Sequence, residues 1–277
     1  MWDGHVAHRS ISFATSLAVV ALALYVAPLA VRTVSAEPGP VRTVSAEPGP
    51  LASGYGRSLV FSGRTWLAKT GLSGPGPNYF SDAADNVWVD ADDRLHLRIT
   101  HRNGAWFCPE VVATESLGYG TYRFDVQGFS GDLDPNVVLG LFTWSDDPAY
   151  DHRELDIELA RWGNPLAPNG QFTVEPNAPS VRRFTFEQPA AGEPGLRAWP
   201  GLASFSLAWR GDGVTFQSLS GDPARGAASL VAAHTFADGI PPPGGEHARM
   251  NLWLHEGRPP TDGAEIEAII RRFDFAP

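Results

Sequence analysis

The sequence predicts an all-β fold, an antiparallel β-sandwich of the jelly-roll type. Short runs rich in valine, leucine and aromatic residues recur between turn signals, and several of them alternate apolar with polar residues at a period of two. No stretch keeps a helical period over about twelve residues between caps. Glycine and proline, 29 and 24 of 277 residues, are frequent enough for many turns. Together these observations favour short strands joined by tight turns in one large domain.

The predicted strands follow one another with little between them. They cover residues 86–89, 94–100, 121–126, 205–209, 214–218 and 265–275. In the second of these, Leu95, Leu97 and Ile99 alternate with charged and polar residues, so one face should be buried. The Gly-Asp-Gly turn at residues 211–213 predicts a hairpin between its neighbours. Two curved sheets of this kind leave a concave face on which an elongated ligand can lie.

The composition limits the classes of partner and cofactor. A formal net charge of −10, with 21 dispersed basic residues, argues against nucleic acid. The single cysteine, Cys108, excludes a disulfide framework, and as a thiol before Pro109 it predicts a small buried hydrophobe. His96, His101 and His255 lack metal-site spacing, so we expect catalysis without a metal or other cofactor. A structural Ca²⁺ on the convex side stays open.

The N-terminal region is typical of an exported protein. Residues 1–36 combine a basic head, a long apolar run and a small-residue cleavage pattern, which predicts a signal peptide or, alternatively, an uncleaved membrane anchor. Residues 37–55 are predicted to be a linker, because the sequence VRTVSAEPGP occurs twice in tandem, at 31–40 and 41–50. Residues 56–277 then form the domain. We expect a secreted, extracellular monomer, with membrane contact only through an uncleaved N-terminus.

An acid-rich segment between residues 153 and 159 carries the chemistry. Glu154, Asp156 and Glu158 alternate with aliphatic residues, so on a strand the three acids share one face. Like charges along one face repel one another, and this favours a functional reason for them. A retaining glycosidase needs one carboxylate as nucleophile and a second carboxyl, with a raised pKa, as acid and base. Asp156 could share a proton with Glu154, leaving Glu154 ionised and Glu158 protonated.

Two structural interpretations compete with this one. On a helix, Leu155, Leu159 and Trp162 would form an apolar stripe and the acids would be exposed. On a solvated edge strand, the charges would merely deter aggregation. The local pattern alone leaves all three interpretations open.

The segment Glu154-Leu155-Asp156-Ile157-Glu158 resembles the Glu-x-Asp-x-Glu motif of glycoside hydrolase family 16, within it the bacterial lichenase-type and xyloglucan-transglycosylase-type enzymes. The resemblance implies a concanavalin A-like jelly roll with a concave substrate cleft. It also implies Glu154 as the nucleophile, Asp156 as its helper and Glu158 as the acid/base.

Further motifs extend the resemblance over residues 61–275. They are Asn-Tyr-Phe at 78–80, Gly-Tyr-Gly-Thr-Tyr at 118–122, Leu-Phe-Thr-Trp at 141–144 and Met-Asn-Leu-Trp at 250–253. Flat pyranose faces stack on aromatic rings, and polar neighbours read the hydroxyl groups. The candidate substrate-binding residues are Asn78, Glu110, Phe142, Trp144, Trp162, Asn251 and Trp253.

The chain departs from the family pattern at several positions. His152 stands where the family often has a tryptophan before the nucleophile. On a strand it would share the face of Glu154, so it is either a sugar contact or a surface histidine. Thr173 and Glu175 stand where an asparagine and a tyrosine often reach the cleft. Asp82 stands where a cysteine often pairs with the equivalent of Cys108, so no disulfide is expected. These departures leave the linkage specificity open.

The sequence therefore predicts a secreted, retaining, endo-acting glycoside hydrolase that cleaves a β-linked polysaccharide by double displacement. Three alternatives remain: a lectin-like carbohydrate-binding module that uses the same cleft without turnover, a transglycosylase, and a structural protein of the cell envelope. Three adjacent acids that face the ligand favour catalysis, because a pure binding module does not need them.

Overall fold

The computed structural model describes residues 54–127, 133–176, 182–189 and 201–277. Within these ranges the chain forms eighteen strands: β1 Tyr55–Phe61, β2 Arg64–Lys69, β3 Gly71–Ser73, β4 Asn78–Phe80, β5 Val87–Val89, β6 Leu95–Arg102, β7 Ala105–Cys108, β8 Glu110–Ala113, β9 Gly120–Gln127, β10 Val137–Trp144, β11 Leu155–Ala160, β12 Gly170–Val174, β13 Arg183–Phe186, β14 Leu202–Arg210, β15 Gly213–Asp222, β16 Ala227–Phe236, β17 His247–Leu254 and β18 Ile266–Ala276. The helices in the same ranges are three short 3-10 turns, at Asp151–Arg153, Pro223–Arg225 and His255–Gly257.

The strands form two large sheets that face each other. The first has the spatial order β1-β2-β8-β17-β10-β11-β12-β13. The second has the order β16-β15-β14-β9-β18-β6-β7-β4-β3, with β5 beside β6. The pairing is antiparallel throughout the first sheet, and strands far apart in the sequence lie side by side, as for β8 and β17. This is the predicted jelly-roll β-sandwich.

The core between the sheets follows the period-two pattern of the sequence. Leu95, Leu97 and Ile99 of β6 are fully buried, as their alternation predicts. Trp66 of the first sheet meets Phe273 of the second edge to face, with ring centroids 5.2 Å apart, which ties the two layers together.

The hairpin predicted around residues 211–213 is present. Arg210 of β14 pairs with Gly213 of β15, so two residues, Gly211 and Asp212, make the turn. Turn chemistry and flanking alternation therefore suffice to locate this element.

The N-terminal predictions lie largely outside the described residues. The predicted signal peptide or anchor, residues 1–36, is not among them, nor is the linker up to residue 53. Strand β1 begins at Tyr55, which is the last residue of the predicted linker. Within the described ranges, no helix has the length and apolar character needed to cross a membrane.

The acid-rich segment forms β11, an interior strand of the first sheet, and Glu154 directly precedes the first residue of this strand. Glu154, Asp156 and Glu158 are together called the β11 acids. Strand β11 is hydrogen-bonded to β10 on one side and to β12 on the other. Leu155, Ile157 and Leu159 are fully buried in the core. The helical interpretation is therefore wrong, and so is the solvated edge strand, because both edges of β11 are paired and even Asp156 is only 5% exposed.

Candidate active site

Three acids lie together along one face of the first sheet. Glu154, Asp156 and Glu158 line a cavity of about 600 Å³ over that face. They face it because the aliphatic residues between them occupy the opposite, core side of β11. The neighbouring Arg153 is turned away, and its Nη1 donates to the carbonyl oxygen of Ala149 at 3.1 Å. The alternation in the sequence therefore predicted correctly that the three acids share one face.

The register of the sheet extends this face across several strands. Glu158 on β11 lies opposite Gly140 on β10, and Gly140 lies opposite Asn251 on β17. Asn251 in turn lies opposite Glu110 on β8. At ~4.8 Å per strand, this row spans ~14 Å. The cavity therefore runs across the strands, an orientation that suits an elongated ligand.

Burial and mutual repulsion raise the pKa values of the three acids. Burial raises the pKa of Glu154 to about 8, assisted by the negative charges of Glu175 and Glu158. Burial, followed by the Glu154 charge, raises the pKa of Asp156 well above its ordinary value. Burial raises the pKa of Glu158 to about 7, and a hydrogen bond from Gln171 opposes the rise. The cluster therefore retains protons at neutral pH.

This distribution of protons differs in part from the expected one. A protonated Glu158 agrees with the expectation for an acid. Glu154, expected to be ionised, has a raised pKa in the unliganded cleft, although a hydrogen bond from Asp156 and the charge of Arg249 both act to lower it. Burial and the nearby Glu175 charge outweigh these two effects.

Aromatic rings line the cavity beside the acids. Phe142 and Trp144 are two residues apart on β10, and Trp253 lies on β17. The ring of Trp144 stacks on His152, with centroids 3.9 Å apart and planes 9° apart. The backbone oxygen of Ser145 lies 2.8 Å from Nδ1 of His152 and fixes that imidazole. His152 is therefore partly buried, and its ring supports the indole of Trp144.

Two predicted binding residues do not line the cavity. Trp162 follows β11 and packs edge to face on Trp253 and His255, with centroids 6.0 Å and 5.5 Å away. Asn78 is almost fully buried, and its amide donates to the backbone oxygens of Pro75 and Leu254 at 2.8 Å and 2.9 Å. Both side chains therefore contact other protein groups, Trp162 while only partly buried, and their binding of substrate stays a prediction.

Cys108 has the structural role that the sequence predicts. It is a free, buried thiol that contacts the Asn78 side-chain oxygen at 3.5 Å. Burial raises the pKa of this thiol to about 12, so the reactive thiolate is not formed at neutral pH.

A network of charges forms one end of the cavity. Glu110 is 1% exposed and pairs with Lys69 Nζ at 2.9 Å and with Arg249 Nη1 at 3.3 Å. The other terminal nitrogen of Arg249 donates to Asp146 at 3.0 Å. The side-chain amide of Asn251 also reaches Glu110, at 3.3 Å. Glu110 and Asn251, two of the predicted binding residues, thus meet within a network that the sequence did not reveal.

The cavity-lining residues that sequence reasoning missed include Tyr55, Lys69, Asp146 and Arg249. The signal for Arg249 was present, because it shares the parity of Asn251 and Trp253 on β17. Lys69 and Asp146 carried no such signal. Tyr55 fell within the predicted linker.

The described residues hold no cluster of three or more histidine, cysteine, aspartate or glutamate side chains arranged to bind a metal ion.

Comparison with known proteins finds similar folds at low sequence identity. No protein-family model and no curated protein matches the sequence significantly. Among solved structures, a β-glucanase of Bacillus licheniformis is similar at 17% identity, covering 82% of this chain and 94% of its own, with a TM-score of 0.53. A family 16 glycoside hydrolase of Bacteroides ovatus, solved with an oligosaccharide product, is 14% identical, covering 76% of this chain and 94% of its own, with a TM-score of 0.54.

A third similar structure comes from Mycobacterium tuberculosis. It is described as an immunostimulatory antigen and pseudo β-1,3-glucanase, and it is 19% identical, covering 76% of this chain and 91% of its own, with a TM-score of 0.50. These similarities establish the fold: the chain has the jelly roll of the family 16 glycoside hydrolases, as its motifs predict.

Proposed function

We propose that the protein is a secreted, retaining, endo-acting hydrolase of a β-linked polysaccharide. The observation that carries this proposal is that Glu154, Asp156 and Glu158 line one cavity, on one face of the interior strand β11 and the residue directly before it. Burying three carboxyl groups side by side is costly, so a structural role is a poor explanation for them. The aromatic rings beside them suit pyranose faces.

The reaction would proceed in two displacements. In the first, the Glu154 carboxylate bonds to the anomeric carbon while the glycosidic bond breaks, and Glu158 gives its proton to the departing oxygen. In the second, water attacks the glycosyl ester, gives its proton to Glu158 and releases the Glu154 carboxylate. Asp156 would donate a hydrogen bond to Glu154 throughout, since the two side chains are hydrogen-bonded in the free site.

The geometry sets one requirement. The Cα atoms of Glu154 and Glu158 are ~13 Å apart on an extended strand, whereas a retaining pair works at ~5 to 5.5 Å between carboxyl groups. The two side chains must therefore lean toward each other across Asp156. The first displacement is the same for a transglycosylase, in which a sugar hydroxyl takes the place of water in the second displacement.

The test is release of reducing ends by the purified protein from mixed-linkage β-glucan, laminarin, xyloglucan, agarose and carrageenan. We expect release from one of these glycans, abolished in Glu154→Gln and unaffected in Glu265→Gln, where the altered acid pairs with Arg98 on the other sheet. Proton NMR of the first product should show the β-anomer. Release that persists in Glu154→Gln, or an initial α-anomer, would overturn the mechanism.

A second candidate is glycan binding without turnover. The raised pKa of Glu154 favours it, because a protonated carboxyl is not a nucleophile. One of the similar structures is described as a pseudo β-1,3-glucanase. Binding of one glycan from the panel, with no release from pH 5 to pH 9, would select this candidate.

A further inference from the structure

A fourth acid, Glu175, lies next to the catalytic strand. It directly follows β12, and its backbone N–H donates to the backbone oxygen of Glu154 at 3.1 Å. Earlier on β12, Gln171 lies opposite Glu158, and Thr173 lies opposite Asp156. Glu175 therefore continues the register as the cross-strand neighbour of Glu154.

The face to which Glu175 belongs follows from its neighbours. Phe172 and Val174 are fully buried on the core side of β12. Gln171, of the opposite parity, donates from Nε2 to Glu158 at 2.6 Å. Glu175 has the parity of Gln171, so its position is on the acid side of the sheet. Directly opposed side chains are ~5 Å apart at Cβ, close enough for a strong like-charge interaction.

Charges on several elements act on the cluster. Along β11, the Glu158 charge raises the pKa of Glu154, and the charges of Glu154 and Glu158 raise the pKa of Asp156. From β13, the Arg183 charge lowers the pKa of Glu158. From β17, the Arg249 charge lowers the pKa of Glu154. Glu175 opposes both cations, because its charge raises the pKa of each of the three β11 acids.

We propose that Glu175 is a positioning residue that holds an additional proton on the β11 acids of the unliganded protein, so that cleavage accelerates as this proton leaves with rising pH. Glu175 is not among the residues lining the cavity, so it acts through Glu154 and not on the sugar. This inference rests on the proposed hydrolase function. The proton that leaves goes to solvent, and the freed Glu154 carboxylate is the nucleophile.

The first test is the pH dependence of kcat/KM between pH 4 and pH 9. In Glu175→Gln the acidic limb should move to lower pH by about one unit, because one like charge beside Glu154 is lost. Glu175→Asp keeps the charge and should stay within a few tenths of a unit of the parent. Glu265→Gln, an equal charge change on the other sheet, is the control. An unmoved limb in Glu175→Gln would overturn the proposal, and so would an equal shift in the control.

The second test needs no activity. Carbon-13 NMR titration of the side-chain carboxyl groups, in parent and variants, should show the cluster titrating at lower pH in Glu175→Gln. Glu175→Ser serves as a second uncharged variant if the glutamine variant does not fold. If the protein cleaves no glycan but its carboxyl groups titrate at lower pH in Glu175→Gln, the hydrolase function is refuted and the charge coupling stands. A protein that cleaves its substrate without the shift would refute the role of Glu175 alone.

Discussion

The substitution Glu158→Gln should change how stability depends on pH. Folding raises the pKa of Glu158 from 4.5 to about 7, mainly by burial. The folded state therefore binds a proton more tightly than the unfolded state does. Parent stability should fall as pH rises from 4.5 to 7 and then level off with respect to this group.

The size of the effect follows from the same shift. At ~1.4 kcal/mol per pH unit, a rise from 4.5 to about 7 corresponds to about 3 kcal/mol of unfolding free energy that is absent above pH 7. A glutamine cannot ionise, and it keeps an oxygen to accept the hydrogen bond that Gln171 donates at 2.6 Å. The variant should therefore differ least from the parent at pH 4.5 and exceed it at pH 8 by as much as about 3 kcal/mol.

Urea unfolding followed by tryptophan fluorescence, at intervals from pH 4.5 to pH 8.5, measures this directly. In thermal melts, about 3 kcal/mol corresponds to ~6 to 12 °C for a domain of this size. Glu265→Gln controls for a change of net charge. Parallel stability curves for parent and Glu158→Gln, or parent stability that rises with pH across this range, would refute the reasoning, because Glu158 would then not be a buried, proton-retaining acid.

Two further predictions concern the floor of the cleft. His152→Ala removes the ring stacked on Trp144 at 3.9 Å, so KM for the glycan should rise about three- to tenfold while kcat changes little. His152→Phe keeps an aromatic ring at this position and should restore KM. A fall in kcat alone would instead assign His152 a role in the chemical step. Gly140→Ala places a Cβ 2.4 Å from the side-chain oxygen of Asn251, so Asn251 must move and glycan affinity should drop severalfold by calorimetry. Gly211→Ala, in the β14–β15 turn, places its Cβ no closer than 3.7 Å to Tyr119 and should bind normally.

Most of the fold could be predicted from local pattern. The alternation in β6, the two-residue turn between β14 and β15, and the faces of β11 all follow from a period of two and from turn chemistry. The buried state of Cys108 was also correctly inferred from its residue type. These features depend on neighbours in the sequence, which a linear pattern records.

The charged end of the cleft could not be predicted in the same way. Lys69, Glu110 and Arg249 meet because β2, β8 and β17 are adjacent in the sheet, although they are far apart in the chain. Their partner Asp146 comes from the loop after β10. The tertiary structure also decided that the Asn78 amide donates to two backbone oxygens, those of Pro75 and Leu254.

The sequence by itself therefore determined which side chains of each strand share a face, and so which acids act together on β11. Only the tertiary structure decided which strands lie side by side, and so that Glu175 opposes Glu154 and that Arg249 faces Glu110. The physical reason is that alternation is a property of one strand's backbone geometry. Register between strands is instead set by the packing of the whole sandwich, which brings residues distant in the sequence together.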